Sequence, residues 1–127
     1  MTALKRQLVR FAIVGVANTL ISLIAYRLLL LVHIWYGIAA PIAYAAGILN
    51  GYVLNRSWTF ASRDSMRARA LYVGVQLGGA GLTSLLTLLF ADAGLGRTAA
   101  FVAAAVPVTL CTFVANRAWT FADREPA

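Results

Sequence analysis

The sequence predicts an all-α polytopic membrane protein: four transmembrane helices forming two helical hairpins of the same orientation, a parallel repeat, with both termini in the cytoplasm. Three observations predict it: the composition, four long apolar stretches, and a seven-residue string that occurs twice. Hydrophobic residues make up 61% of the 127 and charged residues 12%, with a mean hydropathy of +0.79. A soluble domain averages about 45–50% apolar and about 25% charged residues, and a small one has proportionally more surface to cover. This composition excludes a soluble enzyme, a disordered tail and a secreted disulfide scaffold; the lone Cys111 has no internal partner and reads as an apolar packing residue.

A helix needs ~20 mainly apolar residues to cross a bilayer core. Four segments meet this: Phe11 to Val32, interrupted by Arg27; Ile34 to Leu54 and Ala70 to Ala91, both uncharged; and Thr98 to Ala115, the shortest. The run Leu28-Leu29-Leu30-Leu31-Val32 does not alternate as a barrel strand would. The first stretch is too long for the core of a signal peptide and is expected to be a retained helix.

The net charge of +7 would suggest nucleic acid in a soluble protein, but the basic residues lie between apolar runs and no nucleic-acid partner is expected. Lys5, Arg6 and Arg10 precede the first span, Arg56, Arg63, Arg67 and Arg69 lie between the second and third, and Arg117 and Arg124 follow the fourth. Only Arg27 and Arg97 fall on the other side. Lys and Arg concentrate in cytoplasmic loops, which places both termini and the central connection inside. Trp35 and Tyr36 then mark the outer interface, and Trp58 and Trp119 the inner one.

Asn55-Arg56-Ser57-Trp58-Thr59-Phe60-Ala61 recurs 61 residues later as Asn116-Arg117-Ala118-Trp119-Thr120-Phe121-Ala122, differing at one position. A weaker echo links Val14-Gly15-Val16 to Val73-Gly74-Val75, 59 residues on. A single transmembrane domain over 1–127 follows, with repeats of about 10–61 and 69–122. Ala39, Ala43, Gly47 and Gly51 recur at every fourth position of the second span, as do Gly74 and Gly78 in the third. Such small-residue stripes let helix backbones approach closely in lipid. Packing within one chain and a dimer seam are both compatible with them, and a homodimer or higher homo-oligomer is expected. Pro41 and Pro107 lie inside the second and fourth helices.

Amides are costly to leave unpaired in hydrocarbon, so Asn18, Asn50 and Gln76 should face inward. Two readings stand for them: interhelical hydrogen bonds, or donors to hydroxyls in a polar groove. Arg56 and Arg117 each follow an Asn and precede a Trp by two residues. They suit an interfacial anchor, with Arg near the helix C-terminus and Trp at headgroup depth. They also suit a phosphate clamp, because guanidinium donates two parallel hydrogen bonds to phosphate. No acidic residue lies within a span and no GxxxxGK[ST] loop occurs, which disfavours proton antiport and ATP hydrolysis. His33 has no partner ligands in sequence. No metal, cofactor or catalytic residue is expected, and the protein is not read as an enzyme.

The string Arg10-Phe11-x-x-Val14-Gly15-x-x-Asn18-Thr19 and the two Asn-Arg-x-Trp-Thr-Phe endings resemble the GtrA-like family of small bacterial membrane proteins, over essentially the whole chain. Two departures are Ala70 after Arg69, where an aromatic would echo Arg10-Phe11, and Arg27 in the first span. The resemblance implies flipping of a polyprenyl-phosphate-linked monosaccharide, for example on undecaprenyl phosphate, across the cytoplasmic membrane for surface polysaccharide synthesis. On that basis Arg56 and Arg117 would hold the phosphate, and Asn18, Asn50, Asn55, Gln76 and Asn116 would solvate the sugar. Trp58 and Trp119 would stack on it or mark the interface. The implied partners are the lipid-linked sugar, membrane lipids and a membrane glycosyltransferase. The alternatives are a non-transporting partner or anchor of that glycosyltransferase and, less favoured, a small multidrug-type exporter.

Overall fold

The computed structural model describes residues 2–123, without the side chains of Gly37 and Arg97; Arg124, assigned above to the cytoplasmic side, lies outside the described residues. Four α-helices follow in order: α1 Ala3–Leu31, α2 Tyr36–Leu54, α3 Met66–Asp92 and α4 Arg97–Ala115. α1 and α3, and α2 and α4 taken with the turns that extend them, are long and apolar enough to span a membrane, so the chain is a multi-pass membrane protein. α1 and α3 begin earlier than the apolar runs because Thr2 and Ser65 cap them. The Thr2 hydroxyl accepts from the Lys5 amide at 3.2 Å and the Ser65 hydroxyl from the Ala68 amide at 3.0 Å, satisfying amides that the first turn leaves open.

The helices pair in sequence order, α1 with α2 and α3 with α4, giving two compact units divided between Arg63 and Asp64. Each hairpin turns through the same C-terminal motif. In the first, His33 N–H donates to Leu30 at 3.0 Å and Ile34 N–H to Leu29 at 3.0 Å; in the second, Gly94 N–H donates to Ala91 at 3.1 Å and Leu95 N–H to Phe90 at 3.1 Å. This is the Schellman pattern, which requires a left-handed residue at its C′ position. The second hairpin uses Gly94 at φ 109° there, and the first uses His33 at φ 65°. The lone histidine therefore terminates a helix.

The repeat register of 61 extends through the core. Ala39 and Ala43 of α2 match Ala100 and Ala104 of α4, and all four are buried. Phe11 matches Tyr72, Tyr52 matches Phe113 and Phe60 matches Phe121, again all buried. Phe11 packs tilted on Phe60 with centroids 6.2 Å apart, and Tyr72 on Phe121 at 5.8 Å. The 59-residue echo is thus not the structural register: Val14 corresponds to Val75, and the aromatic that answers Phe11 is Tyr72.

The small-residue stripes divide. Ala39, Ala43, Gly47 and Gly51 are all buried, and a Cβ at Gly47 would overlap the Ser22 hydroxyl on α1, so this stripe is the seam of the first hairpin. On α3 the close approach is at Gly79, where a Cβ would lie 2.8 Å from Thr112 Cγ2. Gly74 and Gly78 are exposed, and a Cβ at either would meet no atom of the hairpin within 4 Å. Large apolar side chains such as Val16, Leu28, Leu49 and Leu88 are also exposed, as expected where lipid is the solvent.

Candidate functional site: the basic ends of the hairpins

The repeated string forms a π-helical turn at the end of each hairpin, over Asn55–Thr59 and Asn116–Thr120. Its mark is the wider hydrogen bond: Phe60 N–H donates to the Asn55 carbonyl at 2.9 Å and Phe121 N–H to the Asn116 carbonyl at 2.8 Å. Such widened turns occur mostly as single insertions in α-helices, often at functional sites. Here the turn aims Asn, Thr and Phe of each string into the hairpin, where they are buried. Arg117, Trp58 and Trp119 are exposed and Arg56 is half-buried.

The Arg56 guanidinium donates through Nη1 to the Ser62 carbonyl at 3.2 Å, and the Ser62 amide returns a bond to the Arg56 carbonyl at 2.7 Å. Arg56 therefore closes the end of its own hairpin with one of its five donors. Arg117 occupies the matching place in the second hairpin. The Asn55 side-chain oxygen accepts from the Thr59 hydroxyl at 2.8 Å. In the second turn Asn116 and Thr120 are equally buried, yet the Asn116 amide atoms and the Thr120 hydroxyl have no hydrogen-bond partner among the described residues.

A cation absent from the sequence-derived site holds each turn. Arg10 on α1 donates through Nη1 to the Trp58 carbonyl at 3.0 Å and stacks over the Trp58 ring with Cζ 5.1 Å from the centroid. Arg67 on α3 donates through Nη1 to the Trp119 carbonyl at 3.2 Å. The two arginines are not equivalent in sequence. Arg10 precedes its core aromatic, Phe11, by one residue, whereas Arg67 precedes Tyr72 by five. Positions four apart lie on one helix face, so the longer reach of Arg67 finds the same carbonyl from one turn further back. Setting the two halves in the 61-residue register and looking one turn either side for a cation would have revealed this pairing. Arg69 takes another role: Nη2 and Nε grip the two Asp64 oxygens at 2.6 and 3.1 Å, bracing the start of α3.

Deeper in the helices, the structure brings Asn18 and Asn50 together: Asn50 Nδ2 donates to Asn18 Oδ1 at 2.7 Å across α1 and α2. Both are half-buried, and the bond is the interhelical kind that small membrane bundles use. Gln76 instead donates to the Tyr72 hydroxyl at 2.9 Å, one turn earlier on its own helix. The hydroxyls of Thr19, Thr83 and Thr112 return to carbonyls one turn back at 3.1, 2.8 and 2.9 Å. Arg27 is exposed on α1.

Each hairpin thus presents, at one end, two guanidinium groups and a tryptophan, with a hydrogen-bonded amide pair farther along the first hairpin. Guanidinium and indole together suit a phosphate-bearing amphiphile at headgroup depth. The chain is 35% identical over 116 residues, 90% of its own length and 78% of the other's, to an uncharacterised membrane protein, YngA, of Bacillus subtilis (strain 168). Residues 10–126 match the family model described as GtrA/DPMS, transmembrane domain, and the chain belongs to that family.

Proposed function

We propose that the protein moves a polyprenyl-phosphate-linked monosaccharide between the leaflets of the bacterial cytoplasmic membrane, as a non-catalytic membrane component of surface polysaccharide synthesis. The carrying observation is the twice-built basic turn of a chain in this family: Arg10 with Arg56 and Arg67 with Arg117, each pair beside a tryptophan. The positive-inside bias puts these ends in the cytoplasm, where a membrane glycosyltransferase would load the carrier. In this reading Arg56 in the first hairpin and Arg117 in the second are the phosphate contacts, and the amides of Asn18, Asn50 and Asn55 in the first and of Gln76 and Asn116 in the second are those that replace water around sugar hydroxyls. The isoprenoid stays in hydrocarbon. Direction comes from consumption of the product outside. A homo-oligomer would give four short helices a larger enclosure.

The test is transbilayer exchange of polyprenyl-phosphate-glucose in vesicles containing the purified protein. Exchange should rise above that of protein-free vesicles and fall about tenfold or more in Arg56→Gln/Arg117→Gln, the scale of losing a charge-assisted phosphate contact. No acceleration by the intact protein rejects the reading. One observation favours the second reading, a non-transporting partner of a glycosyltransferase: Arg56 already serves the closure of its own hairpin through Ser62. That reading expects co-purification with the enzyme and unchanged glycosylation in the same double variant.

A further inference from the structure

The second hairpin carries a groove on its surface. It lies between α3 and α4, has a volume of about 420 Å³, and is walled by Leu71, Gly74, Gly78, Gly79, Cys111 and Ala115, with Trp119 at its end. That volume falls within the range of about 300–1,000 Å³ usual for small-molecule clefts. In the 61-residue register the first hairpin has Ile13 for Gly74, Ala17 for Gly78, Asn18 for Gly79, Asn50 for Cys111 and Leu54 for Ala115. Every one of these replacements is larger, and two of them form the hydrogen-bonded amide pair. These five wall positions are smaller in the second copy, while Thr112, also in the wall, is larger than the matching Gly51.

Its charged end is fixed by the helix period. Arg67, Leu71, Gly74 and Gly78 follow at spacings of four, three and four, a single stripe along α3. Arg67 uses one N–H on the Trp119 carbonyl; its remaining donors have no partner among the described residues. A guanidinium bonded to the carbonyl of Trp119, which lines the apolar groove, is complementary to a phosphate carrying a long hydrocarbon chain. Gly74 and Gly78, about 6 Å apart along the helix, leave open space in the groove, since a Cβ at either would meet no atom of the hairpin within 4 Å.

We propose that the α3–α4 groove binds the isoprenoid chain of a polyprenyl phosphate, with Arg67 joining Arg117 of the same hairpin at its phosphate. The identity of the chain rests on the lipid-linked-sugar reading. The groove assignment itself is a statement about binding, and binding is measured apart from transport.

The probe is farnesyl phosphate with a diazirine at its far end, photolysed with the full chain in dodecyl maltoside and mapped by mass spectrometry. Labels should fall on α3 and α4 around Gly78 and Cys111, and unlabelled farnesyl phosphate should compete. Phosphatidylglycerol and inorganic phosphate should compete at least about tenfold less well, for want of the branched chain or of any chain. Gly74→Leu/Gly78→Leu, at two positions where a Cβ meets no atom of the hairpin within 4 Å, should fill the trough and cut labelling about tenfold. Arg67→Gln should do the same, with Arg67→Lys recovering part of it. Gly15→Leu, an open position on α1, should leave labelling unchanged and so controls for folding. Equal competition by phosphatidylglycerol, labels spread over α1 and α2, or full labelling of the filled-groove variant overturns the proposal. Correct labelling in a protein that does not accelerate exchange leaves the groove standing and rejects transport; exchange with misplaced labels does the reverse.

Discussion

The contact between an α-helical arginine and the tryptophan carbonyl of the π-turn is made from two registers, so the register can be moved and the contact kept. Arg10 is half-buried, bonds the Trp58 carbonyl at 3.0 Å and stacks on the indole. A charge-assisted hydrogen bond contributes about 1.5–3 kcal/mol where it is shielded, and a partly exposed cation–π contact about 0.5–1 kcal/mol. At a half-exposed site their sum is about 2 kcal/mol. Arg67 is exposed and has only the 3.2 Å bond, so solvent screening reduces its share to about 0.5 kcal/mol. Replacing Arg67 by Leu and Leu71 by Arg puts the guanidinium one residue before Tyr72, the position Arg10 holds before Phe11. Unfolding in mixed sodium dodecyl sulfate and dodecyl maltoside micelles, followed by far-UV circular dichroism, gives the free energies. Arg10→Leu should cost about 2 kcal/mol and Arg67→Leu about 0.5 kcal/mol, and the exchanged double variant should exceed Arg67→Leu by about 1 kcal/mol. An exchanged variant no more stable than Arg67→Leu, or an Arg10→Leu cost indistinguishable from that of Arg67→Leu, refutes the claim that the turn needs a cation on that carbonyl.

The remaining expectations use the same unfolding assay. His33→Gly should stabilise the chain by about 0.5–1 kcal/mol, since a left-handed residue costs about 1–2 kcal/mol when it carries a Cβ and glycine loses part of that in chain entropy; a loss of stability would show that the imidazole contributes there. Asn18→Leu and Asn50→Leu should show a coupling of about 0.6–1.7 kcal/mol in a double-mutant cycle, and strictly additive effects would mean that the 2.7 Å bond adds nothing. Gly47→Leu should destabilise by about 1–3 kcal/mol through overpacking against Ser22, whereas Gly74→Leu should be close to neutral. If the two glycines respond alike, the division into seam and groove is wrong.

The helices were legible because lipid imposes a length and a polarity that composition alone displays. The hairpin pairing was legible because a short connection between spans leaves little choice, and the Ala39, Ala43, Gly47 and Gly51 stripe is the seam it suggested. The π-turn was not. Nothing in Asn-Arg-x-Trp-Thr breaks an α-helix by propensity; the widened turn goes with the burial of Asn55, Thr59 and Phe60 together, which only the tertiary structure displays. Arg10 and Arg67 escaped as a pair because their sequence spacings to Phe11 and Tyr72 differ by one helical turn, which a linear comparison treats as a mismatch and a helix treats as a neighbour. Gly74 and Gly78 shared the spacing of a packing stripe. Only placing Gly79 against Thr112 showed that the seam of α3 lies beside them.

The pattern of agreement and divergence between the copies separates what the hairpin needs to fold from what each copy does. Both copies keep the paired alanines, the aromatic pair at the basic end, the Schellman turn and the arginine on the tryptophan carbonyl. Two copies that reach one contact by different routes argue that the contact is required. The middle of each hairpin is reversed in sense. In the first, Gly47 on the second helix receives Ser22 and Asn18 of the first; in the second, Gly79 on the first helix receives Thr112 of the second. That reversal removes the amide pair from the second hairpin and opens the trough in its place. Asn116 carries the argument further. It is identical to Asn55 and as deeply buried, but only Asn55 has its threonine partner. A buried amide without partners costs about 1–3 kcal/mol, so a purely structural Asn116 would gain stability on becoming Leu. A variant Asn116→Leu that is more stable yet slower in lipid exchange marks that amide as a residue kept for the substrate, while one that is less stable returns it to the framework it shares with Asn55.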